Sequence, residues 1–267
     1  MGLSGIAKNV NAQSFSMGVN LPVMNGVVGA WFGGSKGGWA NQIVGGQQPT
    51  IVGTPSHVTE FSSRFSTTAY INTNIAETPG MTLLVVAKIY APGSSRMQFL
   101  GNYANSVTES GSTITVSGAG IVIESSGAVE MVGSSYSGVS GSESNSNAAV
   151  LSPGSGLKSS LDTTTNSDYR AFMGKIDNTG AIGTAGNRYI KNLTGGVSVT
   201  QAQTAGNVRD LRNAKSLRIG TRGVAGNANA PTEMMLAIMW NRALNASEEA
   251  LMYNYVRNYS SRRGITV

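Results

Sequence analysis

The chain has 267 residues, no cysteine, one histidine and only 12% charged residues, with 19 Lys and Arg against 13 Asp and Glu. A disulfide-stapled scaffold, a zinc ribbon, an iron–sulfur protein and a thiol enzyme all need cysteines, and a charged disordered chain would not carry 40% hydrophobic residues. Gly, at 35 residues, follows no fixed period, which excludes collagen.

Taken in chain order, residues 1–25 form a long polar stretch without a basic region leading into an apolar run, so they do not read as a secretory signal. They are expected to be an arm that reaches a neighbouring subunit, with residues 26–267 forming one domain. Short apolar runs punctuated by turn residues then follow at the spacing of an all-β sandwich or barrel. They are Val27–Phe32, Ala69–Asn72, Thr82–Tyr90, Met97–Gly101, Ile121–Glu124, Val129–Gly133, Tyr169–Ile176, Arg188–Asn192, Ser216–Gly220 and Met234–Trp240. The run from Thr82 to Tyr90 has too few polar positions for a wet face and reads as a central strand covered on both sides. None of the apolar runs approaches the roughly 20 residues of a membrane-spanning helix, and no membrane insertion is expected.

Residues 134–160 contain 11 serines in 27 positions and read as a surface loop. Asn245-Ala-Ser-Glu248 carries the Asn and the Glu three residues on that together cap a helix start. Leu251, Tyr255 and Tyr259 recur every fourth residue, and Gly264 follows, so a helix is expected over about 246–262.

Residues 1–133 hold five basic and five acidic residues, so the whole +6 lies in the second half. Arg188, Lys191, Arg209, Arg212, Lys215, Arg218 and Arg222 face only Asp210 within their stretch. Such a stretch reads first as an ordinary solvated face and next as a contact for an acidic partner subunit or polyanionic surface. Without aromatic interleaving or a helix-turn-helix it does not read as a nucleic-acid interface.

Chemistry is sparse. A glycosidase needs two carboxylates about 5–10 Å apart; Glu124 and Glu130 flank a turn at a spacing that could put them on adjacent strands, with exposed hairpin charges as the plainer reading. The single histidine, His57, lies in a turn-rich segment, and no G-x-S-x-G elbow is present. Gly33-Gly-Ser-Lys-Gly-Gly lacks the spacing of a phosphate loop. Sugar binding asks for less, namely an aromatic platform with amides beside it. Trp39 beside Asn41, Tyr103 in Gly-Asn-Tyr-Ala-Asn, and Tyr136 in the Ser-rich segment are the candidates.

The C-terminal third carries a more specific pattern. Ser216-Leu-Arg-Ile-Gly-Thr is followed by Glu233-Met-Met-Leu-Ala-Ile-Met-Trp-Asn-Arg-Ala-Leu and then by Asn245-Ala-Ser-Glu-Glu-Ala-Leu-Met-Tyr. With Val27-Val-Gly-Ala-Trp-Phe and Met81-Thr-Leu-Leu-Val-Val-Ala-Lys, these segments resemble the concanavalin A-like lectin/glucanase superfamily, in the laminin-G-like form of bacteriophage virion proteins. The resemblance implies an all-β, two-sheet antiparallel jelly-roll sandwich with one C-terminal α-helix. It also implies a non-catalytic structural protein of a virion (tail fibre, baseplate, appendage or head decoration), made in the host cytoplasm. Such a protein contacts other virion proteins, assembles as a homo-oligomer of trimeric or higher order, and can recognise host surface glycan.

A lectin-type receptor-binding module and a glycan depolymerase are the alternatives within the same superfamily. Its glucanases carry E-x-D-x-x-E on one strand, and that motif is missing here. Its lyases use Tyr, His and Arg, for which Tyr70, His57 and Arg64 are the available residues. No cofactor is expected, although calcium, common in the family's lectins, would find Asp162 and Asp168 close together.

Overall fold

The computed structural model describes residues 18–93, 95–103, 105–109, 111–152, 169–177, 187–213, 215–221 and 230–267. In chain order the elements are β1 (Val27–Phe32), α1 (Gly34–Gly37), β2 (Thr50–Val52), β3 (Ser56–His57), β4 (Ser63–Phe65), β5 (Tyr70–Asn72), β6 (Met81–Lys88), β7 (Met97–Gly101), β8 (Asn105–Glu109) and β9 (Ser112–Val116). There follow β10 (Ala119–Ile123), β11 (Val129–Tyr136), β12 (Asn145–Leu151), β13 (Tyr169–Asp177), β14 (Asn187–Asn192), β15 (Val197–Ala202), β16 (Val208–Arg209), β17 (Arg218–Ile219), β18 (Thr232–Trp240) and α2 (Ala246–Ser261).

Two eight-stranded antiparallel sheets face each other. One runs β15-β14-β13-β6-β18-β4-β3, with β1 also on β18; the other runs β12-β11-β10-β7-β17-β5-β2, with β16 on the end of β11. The protein is thus a two-sheet β-sandwich with a C-terminal helix, as the sequence pattern implies. The first sheet has a third layer over it. Leu83, Val85 and Ala87 of β6 point into the core between the sheets, while Leu84 and Val86 point to the other side, under α2. Every residue of β6 and of β18 is buried, and strands covered on both faces lose the usual polar alternation.

Helix α2 begins on a complete capping box: Glu248 N donates to Asn245 Oδ1 at 3.0 Å and Asn245 N donates to Glu248 Oε2 at 2.9 Å. The buried stripe falls one residue from the expected one. Met252 and Val256 enter the layer beneath, Leu251 is 50% exposed, and Tyr255 and Tyr259 lie half-buried along the flank of the stripe. No basic residue lies in the last turn, so Arg263 is placed beyond the helix by the chain's exit, not by the helix dipole.

The Ser-rich segment is in part a hairpin, not a loop. β11 extends to Tyr136 and pairs with β12 from Val129↔Leu151 to Ser135↔Asn145. Ser134 is fully buried, its hydroxyl donating to the Gly118 and Asp210 carbonyls, and the Ser135 hydroxyl accepts from Asn147. The ladder's hydrogen bonds come from the backbone and do not need apolar side chains. Residues 153–160 of that segment lie outside the described residues.

Of the expected arm, residues 18–25 pack on the chain's own sandwich: Leu21 and Val23 are buried beside α2, and Trp240 Nε1 donates to the Val23 carbonyl at 3.0 Å. Residues 1–17 lie outside the described residues.

Candidate functional site

The four residues expected to hold sugar are not brought together. Trp39 is 1% exposed, with its ring edge-on to Phe65 at 5.0 Å and its Nε1 donating to Ser63 Oγ at 2.9 Å, which leaves no free face for a pyranose. Asn41 is also buried. Its Oδ1 accepts from Ala30 N and Ile43 N, and its Nδ2 donates to the Val28 and Gln47 carbonyls, so its side chain is spent on holding the loop. Tyr103 and Tyr136 belong to the other sheet, each under an arginine: Tyr103 Oη accepts from Arg96 Nη1 at 2.8 Å, and the Arg212 guanidinium lies 4.1 Å from the Tyr136 ring centre.

Nor do the basic residues of the second half form one surface. Arg188 is fully buried, donating to the Gly133 carbonyl from Nε at 3.1 Å and Nη2 at 2.9 Å and to Gln203 Oε1 at 2.8 Å, and burial pulls its guanidinium down to about 10. Arg209 is buried in an ion pair with Glu77. Arg212 clamps Asp210 at 2.8 Å and also pairs with Glu109, Lys191 reaches Glu249 at 3.6 Å, and Arg218 lies 5.2 Å from the Tyr70 ring. Lys215 is exposed; Arg222 lies outside the described residues. What is one stretch in sequence is thus divided between the buried interior, Glu249 of α2 and the surface. Asp162 and Asp168, the calcium candidates, lie outside the described residues.

Of the lyase candidates, His57 and Arg64 lie on the paired strands β3 and β4 of one sheet and Tyr70 on β5 of the other. Ser63 Oγ lies 3.1 Å from His57 Nδ1, but it already accepts from Gly34 N and Trp39 Nε1 and is fully buried, out of a substrate's reach. Glu124 and Glu130 come together at the end of the β10–β11 hairpin, with Arg96 Nε on Glu124 Oε2 at 2.6 Å. Arg96 thus holds one of the two carboxylates in an ion pair, whereas a glycosidase keeps both free to face the sugar between them. Burial first, and then the charge of Glu124, pushes the Glu130 carboxyl up to about 7.

A folded pKa above the ordinary 4.5 means that the folded protein holds this proton more tightly than the unfolded chain. The resulting stabilisation is complete below about pH 4.5 and lost as pH rises through 7. Glu130→Gln is therefore expected to reduce the fall in stability between these values by about 1–2 kcal/mol, after solvent screening of this half-buried site. Urea unfolding at the two pH values measures it, and an unchanged fall overturns it.

The arrangement best suited to a ligand lies elsewhere, at the C-terminal end of α2. Phe32 ends β1, and its ring meets that of Tyr259 at 4.9 Å. Tyr255, one turn earlier, stacks near-parallel to Tyr259 with centres 6.4 Å apart. The opposite wall comes from the Gly-rich α1 segment. Gly34 has φ +74°, and a Cβ there would fall 2.3 Å from the Glu60 backbone, so only glycine lets the two chain segments cross this closely. Lys36 N donates to the Glu60 carbonyl at 3.0 Å, which fixes Lys36 and Phe61 side by side. Arg263, beyond the helix end, lays its guanidinium 3.5 Å from the Tyr259 ring centre and 4.7 Å from that of Phe61.

These residues, with Val19, Gly37 and Gln42, enclose an open cavity of 320 Å³. Neither Arg263 nor Lys36 has a carboxylate partner among the described residues, and Arg263 Nε is buried without an acceptor. A second cavity, of 260 Å³ between Val129, Val150, Phe172 and Val199, carries no charged side chain.

No family model and no curated protein matches the chain. Solved structures do. The chain is similar to the binding domain of botulinum neurotoxin DC in complex with SialylT, at 10% identity and a TM-score of 0.53, over 89% of this chain and 53% of that one. It is similar to the receptor-binding domain of the mosaic serotype C/D with tetraethylene glycol on its Hcn sub-domain, at 10% identity and a TM-score of 0.52, over 86% and 51%. A third, the serotype D/C VPI 5993 binding domain, is 9% identical with a TM-score of 0.52, over 88% and 53%. The fold shared with them is a two-sheet β-sandwich. The chain spans about half the length of these structures, and at such identities the architecture is what is shared.

Proposed function

We propose that the chain is a non-catalytic binding module of a bacteriophage particle, carried on a tail fibre, baseplate, appendage or head decoration, where it recognises host surface glycan. The observation that carries this reading is a lectin-like sandwich whose open cavity presents aromatic rings and uncompensated cations. By contrast, the Glu124 carboxylate is held by Arg96, and the hydroxyl beside His57, that of Ser63, is buried. Binding domains among its structural neighbours, one of them in complex with SialylT, support the same class. The virion setting rests on the closing pattern of β17, β18 and the capped helix, and with it go homo-oligomeric assembly of trimeric or higher order and contacts with other virion proteins. Free of a virion, the same site would make a lectin-type receptor-binding module.

The test is adsorption of the purified full chain to host cells, with the cell-surface polysaccharide as competitor. Saturable binding that the polysaccharide competes away, with the polysaccharide recovered intact, is the expected result. Reducing ends or unsaturated sugars released during the assay would make the chain a depolymerase instead. Failure of any surface glycan to compete would remove glycan recognition from the reading.

A further inference from the structure

We propose that the cavity at the end of α2 takes the acidic terminus of a saccharide, a pyranose ring bearing a carboxylate. The Tyr255 ring would lie along the sugar, Tyr259 would hold the guanidinium stacked on it, and Arg263 and Lys36 would meet the charge. This rests on the binding-module reading and deepens it by naming the site and the ligand class.

The argument begins with charge. Arg263 is half-buried between two rings and Lys36 stands at the rim, and neither is neutralised by a carboxylate among the described residues. A purely apolar partner covering this cavity would bury both cations uncompensated, which is strongly unfavourable. A cationic ligand would be repelled. An anion is favoured, and a planar carboxylate suits a guanidinium already fixed by ring stacking and by its Nη1–H···O bond to the Tyr259 carbonyl at 2.8 Å.

The walls select further. Aromatic faces favour the apolar face of a sugar ring, and hydrogen-bonding groups stand beside them. Gln42 Nε2 is held by the Ala40 carbonyl at 3.2 Å, which leaves its Oε1 to accept from a hydroxyl. The Tyr255 hydroxyl has no partner among the described residues, and burial keeps it protonated, hence a donor. The volume of 320 Å³ sits at the small end of ligand sites, which run from about 300 to 1,000 Å³, and suits a terminal sugar better than an internal stretch of chain.

The test is calorimetric titration of the full chain with sialyllactose and with oligogalacturonate, using lactose as the neutral control, at low and at high salt. At least one acidic saccharide is expected to bind about tenfold more tightly than lactose, with the difference shrinking at high salt. Arg263→Gln and Lys36→Gln are each expected to weaken that binding about tenfold while leaving the thermal midpoint near that of the parent. Arg263→Lys, which keeps the charge and loses the planar stack, should fall between. Equal affinity for acidic and neutral sugars, affinity indifferent to Arg263→Gln and Lys36→Gln, or no binding to either acidic probe would each overturn the proposal. Host-cell adsorption that persists in Arg263→Gln would also overturn it while leaving the binding module intact. Failure of the unaltered chain to adsorb at all would tell against the binding module itself.

Discussion

Glu233→Ala is expected to destabilise the protein by about 3–5 kcal/mol, the cost of removing one partner of a fully buried ion pair. Glu233 is fully buried on β18 and Lys88, at the end of β6, is 3% exposed, with Nζ 3.1 Å from Glu233 Oε1. The same oxygen accepts from Tyr169 Oη at 2.5 Å and Ser62 Oγ at 3.3 Å, and Oε2 lies 3.5 Å from Arg64 Nη2. Alanine removes the acceptor for all four and leaves the Lys88 ammonium in low dielectric without this carboxylate. Glu233→Gln, which keeps an oxygen but no charge, should cost less. Changing Glu233 to Leu together with Lys88 to Met replaces the pair by apolar volume and should recover much of the loss, because a buried pair gains little over well-packed hydrophobic side chains. Urea unfolding of the three variants measures this, and a Glu233→Ala loss below about 1 kcal/mol would show that the cluster is solvated in solution.

That cluster shows where sequence reading stops. The runs containing Lys88, Tyr169 and Glu233 are all recognisable as strand or strand end, but what joins them is the strand order β13-β6-β18 and the register Tyr169↔Lys88. A sequence pattern reports which way a side chain points within its own strand and not which strand lies alongside. The same limit explains the missed elements. β3, β4, β12 and β15 are short, or polar, or at an edge, and their pairing is held by backbone groups that composition does not reveal. The central strands and the capped helix were legible because burial on two faces and a capping box both leave residue-level marks.

The site was half legible. Tyr255 and Tyr259 stand out by helical period, and Arg263 lies just beyond the helix end. Phe61 and Lys36 carry no pattern, since they are brought in by a chain crossing that depends on Gly34. Trp39 misled for a related reason: a Gly-rich loop suggested exposure, whereas those glycines let the chain close tightly over the indole, with Gly33 against the Trp39 ring itself.

On the other sheet, Glu77→Ala should be the second large loss, again about 3–5 kcal/mol. Glu77 follows β5 and accepts from Asn102 Nδ2 at 3.1 Å as well as pairing with Arg209. Arg209 in turn donates to the Ser134 carbonyl at 2.7 Å, so this pair pins the stretch around β16 across the end of the β11 hairpin. Its Nε is already buried without an acceptor, and Glu77→Ala would strip the facing carboxylate as well. Burial outweighs the attraction of Arg209 and holds the Glu77 carboxyl above its ordinary range. The intact pair is therefore close to break-even, and the loss on mutation to alanine comes from the Arg209 and Asn102 donors left without their acceptor. Glu77→Gln, which keeps an acceptor and removes the desolvated charge, should cost well under half as much as alanine. Saccharide binding should be untouched by either change under conditions where the variant stays folded, because Arg263 and its rings lie across the sandwich under a different sheet face. If Glu77→Gln proved as damaging as Glu77→Ala, the charge would be what holds this stretch, and the near-balance inferred for the pair would be wrong.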